Sequence, residues 1–242
     1  MSEYVYNDKF FEYIDSDEKA YWLGFLYADG SIHELYRNHK IKAMVLELAL
    51  SEKDKSHVER FVKDIGSNVL VDKRYTKIND NIYYSYRARI NNTKICRDLI
   101  SLGCTPRKSL TLTFPDIKKL NGFENSFIRG YFDGDGCICY SQRNYIDKRN
   151  QKEYTQKYMI VSIVGTNDFL LSLSNILKNY GINFKMAKTS NTGKAKEIRL
   201  TKKNEIKKFY DYIYNNCSVK LERKYSKFIE SFNQFNDLKM AS

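Results

Sequence analysis

The sequence predicts an α+β protein built from two copies of one αββαββα unit, and three observations carry that prediction. "YWLGFLYADGSI", from Tyr21 to Ile32, returns 106 residues later as "FIRGYFDGDGCI", from Phe127 to Ile138, and the two share Gly24/Gly130, Asp29/Asp135, Gly30/Gly136 and Ile32/Ile138. After each copy, apolar residues switch between a period of two and a period of 3.6 in the same order. Both prolines of the 242-residue chain, Pro106 and Pro115, fall between the copies, where neither a helix nor a central strand can continue. The expected division is residues 1–105, a linker over 106–122, and a second unit over 123–242.

In the first unit "SDEKAYWLGFLYADG" reads as a helix, with Ser16 or Asp17 as N-cap, acids in its first turn and Gly30 just past its end. The strands "SIHELYR" and "IKAMVLELAL" follow, joined by the turn "NHK". "EKDKSHVERFVKDIG" is a helix with Val58, Phe61, Val62 and Ile65 on one face. "VLVDKRYTK", the turn "INDN" and "IYYSYRARI" form a hairpin, and the helix "TKICRDLISLG" closes the unit. The second unit repeats the order: "ENSFIRGYFDGDG" as helix, "CICYSQRNY" and "KYMIVSIVG" as strands, "NDFLLSLSNILKNYG" as helix. "INFKMAKT" and "AKEIRLT" flank the turn "SNTG", "NEIKKFYDYIYNN" is helical, and "ERKYSKFIESFNQF" adds a last helix. The unit ends also rhyme, "CTPRKS" with "ERKYS".

Forty-one Lys and Arg against 29 Asp and Glu give a net charge of +12, which favours a polyanionic partner, nucleic acid first. The excess is concentrated: between Lys178 and Lys203 stand eight basic residues and one acid, Glu197. No run of 18 apolar residues exists to span a bilayer, so a soluble, intracellular protein with no membrane partner is expected. Five cysteines without a CxxC pair and only three histidines suggest neither a disulfide framework nor a zinc site.

Within the repeated helices the small residues lie four apart, Gly24 with Ala28 and Gly130 with Gly134, and so share one face. Glycine inside a helix costs about 1 kcal/mol relative to alanine, and close approach of two backbones would offset that. Packing through this face brings Asp29 and Asp135 together at two helix C-termini, where mutual repulsion and the helix dipoles disfavour ionised carboxylates unless a cation joins them. Mg²⁺ suits a site of few carboxylates that also takes water and phosphate oxygens. The plainer reading makes each aspartate a helix-end residue in an Asp-Gly turn; duplication of the whole helix argues against it.

"WLGFLYADG" and "IRGYFDGDG" resemble the two signature helices of the LAGLIDADG homing endonucleases, in the single-chain form with two motif copies. The resemblance implies two antiparallel four-stranded sheets forming a DNA-binding saddle, and divalent-metal hydrolysis of both strands across the minor groove, leaving 3′ extensions. By position the metal-binding acids are Asp29 and Asp135, with the carbonyls of Ala28 and Gly134 as supporting ligands. The family's polar residue after the second strand falls on Glu52 and Thr166, and its assisting lysine on Lys94 or Lys202.

Strands of about nine residues span roughly 30 Å, close to one turn of DNA, so two sheets would cover a long, asymmetric site. Alternation within single strands nominates Lys73, Tyr75, Lys77, Arg87 and Arg89 in the first unit as DNA contacts. In the second unit it nominates Arg143, Lys157, Lys185, Lys188, Lys194, Lys196 and Arg199. The expectation is a monomeric, site-specific double-strand DNA endonuclease. The alternative is a non-cleaving binder on the same scaffold, an intron RNA maturase or a transcriptional regulator; retention of both acids favours the nuclease.

Overall fold

The structure is a computed structural model that describes residues 4–187 and 195–240. Helix α1 (Asp17–Ala28) starts where the Ser16 hydroxyl accepts the Lys19 amide hydrogen at 3.3 Å, with Asp17 and Glu18 in the first turn, both favourable at the positive end of the helix dipole. Every residue from Ala20 to Tyr27 is buried, so α1 is a central helix rather than an amphipathic one. Helix α4 (Glu124–Asp135) is its counterpart, buried from Ser126 to Asp133.

The two helices cross backbone to backbone. A Cβ added at Gly24 would lie 2.0 Å from the Phe127 carbonyl oxygen, and one added at Gly130 would lie 1.9 Å from that of Tyr21. Since Tyr21 and Phe127 are themselves matched positions of the repeat, the contact is reciprocal, as at a twofold interface between subunits.

Each helix runs straight into a strand. Gly30 and Gly136 open β1 (Gly30–Arg37) and β5 (Gly136–Asp147) without adopting positive φ, so neither helix closes on a left-handed glycine. The glycines are needed for space instead: a Cβ on Gly30 would meet the Leu26 carbonyl at 2.7 Å, and one on Gly136 would meet that of Phe132 at 2.4 Å.

In the first unit β1 and β2 (Lys40–Ser51) turn through Asn38 and His39, both at positive φ. Helix α2 (Lys55–Asp64), strands β3 (Asp72–Ile78) and β4 (Asn81–Ile90), and helix α3 (Thr93–Ser101) complete the unit. The antiparallel sheet has the order β1-β2-β4-β3. Leu46, Leu48, Ala88 and Ile90 bury one of its faces together with Val58, Phe61 and Leu99 of the helices; each such aliphatic or aromatic burial contributes about 1.5–3 kcal/mol. The second unit repeats this with β6 (Lys152–Thr166), α5 (Asn167–Lys178), β7 (Lys185–Met186), β8 (Ala195–Leu200) and α6 (Lys203–Tyr214) in the order β5-β6-β8-β7, followed by α7 (Glu222–Met240).

Polar side chains buried at the seam lock the units. The guanidinium of Arg129, wholly buried, donates to the carbonyls of Val219 and Ile213 at 2.8 and 2.9 Å and to Asp17 of α1 at 2.6 Å. Asp133 accepts from the hydroxyls of Tyr21 and Tyr214 and from the Leu221 amide at 2.6–2.8 Å. A buried charge is tolerated only when surrounded by partners in this way.

Candidate active site and nucleic-acid interface

Because α1 and α4 cross with reciprocal geometry, Asp29 at the end of one and Asp135 at the end of the other arrive at the same edge of the seam. The approach is close: a Cβ on Gly134 would stand 2.3 Å from the Ala28 Cβ and 3.2 Å from the Asp29 Oδ2. Both residues are exposed at the surface of the seam, although neighbouring protein atoms crowd their carboxyls enough to raise both. Burial first, and then the charge of Asp135, push the Asp29 carboxyl up to about 6, against the pull of Lys224 and Lys108. Asp135 is raised by the same burial, opposed by a hydrogen bond from Tyr131 and by the same two lysines.

Neither lysine was singled out from the sequence. Lys108 is buried, and its ammonium donates to the Gly30 carbonyl. Lys224, also buried, donates to the carbonyls of Phe132 and Gly134 at 2.7 and 2.9 Å. Burial lowers its pKa to about 8, with Arg223 acting in the same direction and Asp133, Asp29 and Asp135 acting against it. They occupy matched places in "PRKS" and "ERKYS", so the rhyme at the unit ends was the available signal.

The residues nominated beside the acids have other partners in the structure. Lys94 donates to Asp98 and Glu12 at 2.8 and 2.9 Å, and Lys202 pairs with Glu205 at 3.3 Å. The Thr166 hydroxyl accepts the Phe169 amide hydrogen at 3.2 Å and donates to the Leu112 carbonyl, so it serves as the N-cap of α5. Glu52 follows β2 directly and pairs with Lys73 at 2.9 Å. The Ala28 carbonyl has its place at the end of α1, whereas that of Gly134 already accepts from Lys224.

The paired acids fit a divalent cation: carboxyls that repel one another at two helix C-termini are relieved by one, and Mg²⁺ keeps several waters when few protein oxygens hold it. Among the described residues no cluster of three or more His, Cys, Asp or Glu forms a fuller cage.

Strand register decides which basic residues share the open faces of the sheets, because directly opposed residues point the same way. On β4, Ala88 and Ile90 face the helices, so Arg87 and Arg89 face away. The pairs Lys73↔Tyr86, Tyr75↔Tyr84 and Lys77↔Ile82 put Lys73, Tyr75 and Lys77 on the helix side instead. In the second sheet Arg143, opposed to Gln156, and Lys185, opposed to Arg199, lie with Arg199 on the open face. Lys157 and Lys196 share the helix-side face of Met159 and Ile198. Alternation along one strand gives two sets of residues without saying which set faces out. Arg74, opposed to Ser85 on the open side, was missed for that reason. Lys188 and Lys194 lie outside the described residues.

Three of the open-face arginines are held by carboxylates. Arg87 pairs with Glu47 at 3.1 Å and Asp72 at 3.6 Å, Arg74 with Asp72 at 3.5 Å, and Arg199 with Glu197 at 2.6 Å.

Fold and site together define a duplicated protein with two open sheets and one shared acidic centre. Residues 122–214 match the family model for the LAGLIDADG-like domain. No curated protein matches the chain. Among solved structures, the I-LtrWI LAGLIDADG homing endonuclease bound to target DNA is similar with a TM-score of 0.60 at 13% identity, over 97% of this chain and 92% of that one. The LAGLIDADG meganuclease I-AabMI bound to uncleaved DNA gives 0.56 at 13% identity, over 91% of each chain. I-SmaMI bound to an uncleaved DNA target in the presence of calcium ions gives 0.54 at 13% identity, over 87% of each. At such identities the likeness is one of fold. The family's domain is thus recognised over residues 122–214, in the second unit, and the two-unit fold of the whole chain is similar to that of these solved structures. No helix among the described residues is long and apolar enough to cross a membrane.

Proposed function

We propose that the protein is a monomeric, site-specific DNA endonuclease that hydrolyses both strands of a long target with Mg²⁺ and leaves 3′ extensions. The observation that carries this reading is the meeting of Asp29 and Asp135 at the ends of two interlocked helices, between two open sheet faces bearing arginines. Asp29 and Asp135 would hold the cation, with the Ala28 carbonyl in support. A divalent ion there lowers the pKa of its bound water and offsets charge on the phosphate. The ammonium groups of Lys108 and Lys224, fixed on backbone carbonyls, lie where that charge develops. Arg87, Arg89, Arg143, Lys185 and Arg199 face the duplex, the arginines suited to guanine edges and the remainder to phosphate.

The second reading is a non-cleaving binder of DNA or intron RNA, and one observation favours it: the Lys224 ammonium occupies the Gly134 carbonyl, a position expected to support a metal ion. Incubating the protein and Mg²⁺ with DNA in which the sequences flanking its reading frame are joined separates the two. Cleavage of both strands supports the nuclease; tight binding without cleavage supports the binder.

A further inference from the structure

The two outer hairpins differ in reach. Strands β1 and β5 both start beside an acid, so distance along them is distance from the cut. Strand β1 has 8 residues and β5 has 12, with the partner strand β6 extended to match. At about 3.3 Å per residue the extra length comes to about 13 Å, or close to four base pairs of duplex at about 3.4 Å each.

The extension is an ordered arm. Beyond the last buried core residue, Tyr145 and Tyr154 stack across the strands at 5.8 Å, Thr155 donates to Asn144 at 2.9 Å, and Arg143 donates to Gln156 at 3.1 Å. At the tip, the Asp147 carbonyl accepts the Gln151 amide hydrogen at 2.8 Å. The open face of the arm carries Arg143, Tyr145, Tyr154, Gln156 and Lys152, and Lys148 and Arg149 cap it. Nothing in the packing of the unit needs these residues, since nearly all are exposed.

We propose that this arm makes the target lopsided: the second unit reads about four base pairs farther from the cut than the first. Lys148, Arg149 and Lys152 grip the outer phosphates, beyond the Arg143–Gln156 pair whose place along the hairpin matches that of Arg37 and Lys40 in the first unit. The inference rests on the proposed DNA-binding function.

The test is hydroxyl-radical footprinting of the whole protein, in EDTA, on a duplex selected by affinity from a randomised library. One flank should be protected about four base pairs farther from the centre than the other. Replacing residues 144–155 by the two-residue turn Asn-Gly makes Arg143 and Gln156 the last pair, as Arg37 and Lys40 are in the first unit. That variant should lose the longer flank alone. Should it fold poorly, Lys148→Ser, Arg149→Ser and Lys152→Ser together keep the arm and should reduce the salt-dependence slope of binding by up to about 2.7. A symmetric footprint, or a long flank that survives shortening with an unchanged salt slope for the triple variant, overturns the proposal. Failure to select any bound duplex overturns the function reading itself.

Discussion

Gly24 and Phe127 meet main chain to main chain across the seam, with no room for even a methyl group between the glycine and the Phe127 carbonyl oxygen. Gly24→Ala in an open helix would add about 1 kcal/mol of stability. Here the sign reverses, because neither backbone can yield, and a loss of about 3 kcal/mol is expected. Gly130→Ala should behave alike. Urea unfolding of each variant reads the sign directly.

Arg129 is the second tie between units. Arg129→Met leaves two buried carbonyls without their donor and removes the one cation paired with Asp17, which keeps only the hydrogen bonds from Ser126 and Ser218, and the expected cost is about 3–5 kcal/mol. A conservative Arg129→Lys should recover only part of it, since an ammonium cannot reach three acceptors in the geometry of a fork.

His57 sets a pH dependence. Packed against Tyr21, whose hydroxyl lies 2.9 Å from its Nε2, it is held down to about 4 by burial. The unfolded chain takes up that proton first as pH falls below about 6.5, so His57 withdraws stability between about 6.5 and 4. Asp29 acts in the opposite sense: raised to about 6, it is protonated first in the folded protein, which gains stability as pH falls over the same range. In metal-free buffer, thermal melts of His57→Phe should therefore lose less stability on acidification than the parent. Asp29→Asn should lose more.

The lysines nearest the acids can be told from those nominated by position. Lys108→Met and Lys224→Met should each reduce cleavage about 100-fold or more while retaining DNA binding, since an ion fixed where charge develops is worth several kcal/mol. Lys94→Met, which breaks pairs with Glu12 and Asp98 and a hydrogen bond to the Asp8 carbonyl at a partly exposed surface, should cleave as the parent does. Gel-based cleavage and binding assays on the same preparations make the comparison.

Much of this fold is legible in the sequence because local chemistry decides it. Ser16 caps α1, Asn38 and His39 turn the first hairpin, and the apolar period marks α2 and the core strands. The parts that are not legible depend on tertiary placement. The helix side of β3 is set by its register with β4 and not by its own alternation, so Lys73, Tyr75 and Lys77 were assigned to the wrong face. The outer halves of β5 and β6 are polar on both sides, so no period of two marks their length. Lys108 and Lys224 reach the acidic centre from segments flanking the repeats, and only the seam geometry brings them there.

The central claim is that Asp29 and Asp135 form one metal-dependent cleavage centre. Asp29→Asn and Asp135→Asn, assayed separately with Mg²⁺ on the bound duplex, should each bind within about threefold of the parent and cut neither strand, a loss of at least about 3 kcal/mol of transition-state stabilisation. Cleavage of both strands at the parent rate by either variant would contradict it.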